Sequence, residues 1–116
     1  MRQDLRTMKT DLSKVKKIYR MYMGSDKKIN YEVYPVVYIN KEYIYFKVPG
    51  NEMLDYLHIS SVFTSFTSVI DNIMEGRKLP KDYAIKELLK YLSEGFNYYA
   101  IDKDGVDSTG RHHLYQ

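Results

Sequence analysis

This sequence predicts an α+β fold: a small antiparallel sheet of about three to five strands packed with three helices, in the order α-β-β-(β)-α-α-β. Three observations predict it. A helical stripe runs through the N-terminal segment, the period switches to two among β-branched and aromatic residues from Ile29 to Val48, and two more amphipathic stripes lie between Ser60 and Gly95.

The first stripe consists of Leu5, Met8, Leu12, Val15, Tyr19 and Tyr22, whose alternating spacings of three and four place all six on one side of a helix. The helix is expected over about residues 3 to 23, with Gly24 as the residue that ends it and Ser25-Asp26 as a turn. A start at Met8 would instead make residues 1–7 an extension and Asp11 the cap.

The period-two run predicts strands, and Asn40-Lys41 reads as the turn of a hairpin because Asn tolerates positive φ. That turn pairs Tyr38 with Tyr43 and Val36 with Tyr45 on a tyrosine-rich face, and Val37 with Ile44 on an aliphatic one. Pro35 cannot donate to a ladder, so its strand is either an edge or bulged. Pro49-Gly50-Asn51 is a turn, and residues 53–59 read as a third strand in preference to a short helix.

Ser60 or Ser61 would cap a helix whose apolar face carries Val62, Phe63, Phe66, Val69, Ile70, Ile73 and Met74, closed by Gly76. Pro80 suits the first position of a third helix, with Ala84, Ile85, Leu88, Leu89 and Leu92 on one side and Gly95 after it. Phe96 to Ile101 reads as the last strand, followed by a turn and a polar tail over 107–116. No repeat or linker divides the 116 residues, so a single domain is expected.

Composition narrows the chemistry. Without cysteine there is no disulfide and no thiolate site, and a small cysteine-free chain with neither a signal-like apolar segment nor a membrane span is expected to be cytoplasmic. Residues 1–28 hold nine basic and three acidic groups while the remainder holds nine and twelve, so a basic end adjoins a mildly acidic body. There are 13 tyrosines and no tryptophan, a composition suited to half-exposed faces and interfaces.

No catalytic or metal constellation assembles. Asp102, Asp104 and Gly105 resemble part of a calcium loop, but Ala100 and Arg111 stand where acids are needed. His112-His113 lacks a third ligand, and Asp55 and His58 point to opposite faces of a strand, which leaves no triad with Ser60. The six glycines are scattered singly, so no phosphate-binding loop forms. Residues 41–48 resemble the aromatic strand of an RNA-recognition motif, yet Glu42 and Ile44 occupy its glycine positions and the element order differs.

The expectation is therefore a non-enzymatic binding or inhibitory protein without cofactor or metal. Its partner is expected to be another protein, such as a nuclease of a host defence system blocked by a phage-borne, anti-CRISPR-type inhibitor. The alternative is a nucleic-acid-binding or regulatory protein. The residues expected to touch the partner are Lys14, Lys16, Lys17, Arg20, Tyr34, Tyr38, Tyr43 and Tyr45, and a homodimer could form through Leu5, Met8, Leu12, Val15, Tyr19 and Tyr22.

Overall fold

The computed structural model describes residues 12, 14–79 and 83–103. These residues form six strands and two helices: β1 Lys17–Met23, β2 Ile29–Ile39, β3 Tyr43–Phe46, β4 Asp55–His58, β5 Val62–Phe63, α1 Phe66–Glu75, α2 Ile85–Ser93 and β6 Tyr98–Ile101. The expected three-helix domain on a small antiparallel sheet is thus replaced by a curled, mixed half-barrel of six strands, in the order β4-β3-β2-β1-β6-β5.

The largest correction concerns the first element, because residues 17–23 form a strand where a helix was expected. Its physical cause is burial on both faces. Ile18 points into one core, while Tyr19 and Met21 point into the other. A strand covered on both sides needs a nearly continuous apolar run, and Ile18 to Met23 is interrupted only by Arg20. Gly24 consequently closes a hairpin and not a helix. Lys27 donates its N–H to the Gly24 carbonyl at 2.9 Å and takes positive φ, leaving a tight loop between the paired Met23 and Ile29. A Cβ on Gly24 would sit 2.3 Å from the end of the Asn30 side chain, so a larger residue there would have to displace the Asn30 and Asp26 side chains.

The β2–β3 hairpin forms, but in a different register. Ile39 pairs with Ile44 and Tyr38 with Tyr45. Asn40 acts through its side chain, whose Oδ1 accepts the N–H groups of Glu42 at 2.8 Å and Tyr43 at 2.7 Å. Between Val36 and Tyr38 the ladder is bulged, and of the two roles offered to Pro35 the bulge is the one found, since β2 is internal. The extra residue resets the alternation: Tyr34 and Val36 point inward with Phe46, whereas Tyr38 points outward with Tyr45.

Residues 55–58 are a strand, as their composition predicts. A single 3-10 turn at Ile59–Ser61 then leads to β5, so Ser65, and neither Ser60 nor Ser61, caps α1, accepting the Ser68 N–H at 3.2 Å. Buried Asp102 adds a second cap by accepting the Thr67 N–H at 3.2 Å, which ties the end of β6 to the start of α1. Gly76 and Gly95 close α1 and α2 in left-handed conformation, as expected. Strands β5 and β6 lie side by side and parallel, which the two-helix crossover between them permits.

Two cores result, one on each side of the sheet. On the outer, convex side α1 and α2 pack Phe66, Val69, Ile70, Leu88 and Leu92 onto Tyr19, Met21, Phe63 and Ala100. On the inner side the curl brings Ile44 and Phe46 of β3 into one cluster with Ile18, Ile101 and Val62 of β5, four places along the sheet from β3. The helices therefore do not cover an aliphatic face of the hairpin. They cover β1, β6 and the Ile29–Val33 stretch of β2, and leave the wing formed by the rest of β2 with β3 and β4 without a helix among the described residues.

Candidate functional site

On the outer face of the wing, strand alternation places Tyr38, Tyr43, Tyr45, Tyr56 and His58 side by side. Tyr38 meets Tyr45 at 5.7 Å between ring centroids, Tyr45 meets Tyr56 at 5.7 Å, Tyr56 meets Tyr43 at 5.6 Å, and Tyr43 meets His58 at 5.2 Å. The contacts are tilted or edge-on, the arrangement favoured by ring quadrupoles, so the five rings form one connected plate. Tyr38 and Tyr56 are more than half exposed, at 58% and 57%. Val37, Met53 and Leu54 add exposed apolar surface at its margin.

A cationic row lies beside the plate. Lys17 pairs with Pro35, and the Lys47 N–H donates to the Pro35 carbonyl at 3.1 Å, so the three residues run across β1, β2 and the end of β3. Because Ile18, Tyr34 and Phe46 point inward, Lys17, Pro35 and Lys47 share the outer face with the rings. No carboxylate occupies an outward strand position of this wing. Asp55 and Glu32 alternate to the other side, and Glu42 stands beside Lys41 in the hairpin loop.

His58 is fixed locally: its Nδ1 accepts the Ser60 N–H at 3.1 Å and lies 2.8 Å from the Ser60 hydroxyl. Asp55 turns to the N–H of Tyr56 at 2.9 Å, so the three residues do not form a relay. Among the described residues no group of three or more His, Cys, Asp or Glu is placed to hold a metal ion. None of the described helices is long and apolar enough to cross a membrane.

The residues expected to form one surface are divided by the structure. Tyr38, Tyr43 and Tyr45 come together in the plate, and Lys17 borders it. Lys14 and Lys16 are exposed at the approach to β1. Tyr34 is buried on the inner side, stacked on Phe46 at 5.8 Å.

Arg20 is also on the inner side, and all three of its guanidinium nitrogens donate: Nε to the Tyr34 hydroxyl at 3.1 Å, and the terminal pair to Asn97 Oδ1 at 3.0 Å and Glu32 Oε1 at 2.9 Å. The Tyr34 hydroxyl donates to the same Glu32 oxygen at 2.5 Å. Hydrogen bonds from Tyr34 and then Arg20 hold the Glu32 carboxyl below its ordinary range. Arg20 is thus a clamp joining β1, β2 and the start of β6, not a free cation awaiting a partner.

The proposed dimer seam is likewise split. Leu12 and Val15 pack in the inner core and Tyr19 in the outer one, while Leu5 and Met8 lie outside the described residues, as do Asp104, Gly105, His112 and His113.

Sequence reasoning missed Tyr56, His58 and Lys47. The signal was present in the period-two spacing of Leu54, Tyr56 and His58, but only the register of β4 against β3 brings that row to the tyrosines. No protein-family model matches the chain, and neither a curated protein nor a solved structure does.

Proposed function

We propose that this protein works by binding a macromolecule through the outer face of the β2–β3–β4 wing, without turning it over. The observation that carries this reading is the plate of Tyr38, Tyr43, Tyr45, Tyr56 and His58, over which no described helix lies, while helices pack on the neighbouring part of the same face. Rings seated on a rigid sheet have little rotamer freedom left to lose, so they bind at low entropic cost.

Inhibition of a partner protein, including a defence nuclease of the kind the sequence suggests, is supported by exposed Val37, Met53 and Leu54, which enlarge the apolar area beyond the rings. The test compares the tagged protein with a Tyr38→Ser/Tyr45→Ser/Tyr56→Ser variant of matched fold by circular dichroism. Partners are purified from expressing cells with and without nuclease and identified by mass spectrometry. A partner held by the wild type and lost by the variant is expected; partners retained equally by both, or the recovery of neither protein nor nucleic acid with the wild type, would refute the reading.

A further inference from the structure

Resting on that reading of the wing, we infer that its ligand is single-stranded nucleic acid, with bases stacked on the tyrosines and the backbone following Lys17 and Lys47. Two independent features of the same surface lead there.

The first is ring order. Tyr38, Tyr45, Tyr56 and Tyr43 form a chain of neighbours with centroid steps of 5.6–5.7 Å across three strands. Unpaired bases offer π-faces to such a chain, whereas a duplex keeps its π-faces inside the stack.

The second feature is charge. Lys17 and Lys47 flank Pro35 at the border of the plate, and the outward strand positions of the wing hold no acid to repel a phosphate. Proline between the two lysines presents a flat, uncharged surface. A phosphodiester running along this border would place successive bases over the rings, in the combination of cationic track and aromatic platform that sequence-tolerant single-strand binding uses.

The experiment is fluorescence anisotropy with labelled oligonucleotides of about 12 nucleotides, oligo-dT and oligo-U, beside a hairpin duplex, across a salt series. The expected result is binding of single strands at least about tenfold tighter than of duplex. Tyr45→Ala and Tyr56→Ala should each weaken it roughly tenfold, while Tyr45→Phe, which keeps the ring, retains it. Lys17→Ala and Lys47→Ala should each reduce the slope of log affinity against log salt by about 0.7.

Equal affinity for duplex, or ring variants that bind like the wild type, would overturn the inference, as would a self-association that sedimentation detects and the ring variants abolish. If no oligonucleotide binds but the triple serine variant still loses an identified, nuclease-resistant protein partner, this inference fails and the broader reading stands. If the variant loses nothing in either assay, both fail.

Discussion

The two halves of the outer sheet face carry the same chemistry and put it to opposite uses. Over β1, β6 and the start of β2, Tyr19 stacks on Phe66 of α1 at 4.1 Å and an interplanar angle of 6°, with Tyr31 of β2 edge-on to Phe66 at 5.0 Å. Over the rest of β2 with β3 and β4, a second group of rings has no helix above it among the described residues. Tyrosine content alone therefore assigns neither core nor interface. What decides is where the crossover helices come to rest, and they return beside β6, at the end of the sheet remote from β4. The bulge at Val37 completes the division by sending Tyr34 inward and Tyr38 outward only four residues apart.

The sharpest way to break this contrast is to truncate one ring from each half. Tyr19 is 2% exposed, and Tyr19→Ala removes its stack on Phe66 and opens a cavity beneath α1, at a cost of about 3–5 kcal/mol. Tyr38→Ala on the wing removes one cross-strand ring pair from a residue that is 58% exposed and costs less than about 1 kcal/mol. Urea titration of both variants measures the difference. Similar losses would mean that the wing rings are structural, which would remove the basis for treating them as a contact surface.

A smaller effect separates Arg20 from the lysines near it in sequence. Arg20→Met keeps much of the side-chain length but leaves Tyr34 and Glu32 without their donor, and should destabilise by about 1–2 kcal/mol, moderated because the Glu32 side chain is 45% exposed. Lys14→Ala and Lys16→Ala, at exposed positions, should change the urea midpoint within error. A neutral Arg20→Met would show that the clamp contributes no stability and reopen Arg20 as a binding group.

These contrasts also show how far the sequence could be read. Pro49-Gly50, Gly76 and Gly95 were legible because positive φ at a turn or helix end is a local requirement. The stripes of α1 and α2 were legible because each helix buries only one side. β1 was not, since Val15, Tyr19 and Tyr22 satisfy a helical spacing while Ile18, Tyr19, Met21 and Met23 equally suit a strand buried on both faces. Periodicity cannot separate those alternatives when the partner of the second face is unknown. That second face is made by the curl of β3 toward β6, where Phe46 meets Tyr99 at 5.8 Å, a contact between residues far apart in the chain. Three tyrosines of the plate were identified from hairpin alternation, but Tyr56 and His58 depended on how β4 pairs, which no local rule supplies.

The subtlest expected effect of the tyrosines packed away from the plate lies in how stability depends on pH. Burial, and then the hydrogen bond to Glu32, push the Tyr34 phenol above its ordinary range; burial does the same for Tyr99, and burial with the Tyr83 hydroxyl for Tyr98. A folded pKa above the unfolded one means that the fold favours the protonated phenol. Its contribution is complete below about pH 10 and is lost as pH rises from there through the folded values. Glu32 behaves oppositely: its lowered folded pKa gives a contribution present above about pH 4 and lost as pH falls through the folded value. Melting temperature measured across pH should therefore decline on both sides of a neutral plateau. Tyr34→Phe should flatten the alkaline limb, and it should also weaken the acid limb because the hydroxyl that holds the Glu32 carboxylate is gone. An alkaline limb that Tyr34→Phe leaves intact would assign that loss of stability to phenols elsewhere and detach Tyr34 from the inner core's electrostatics.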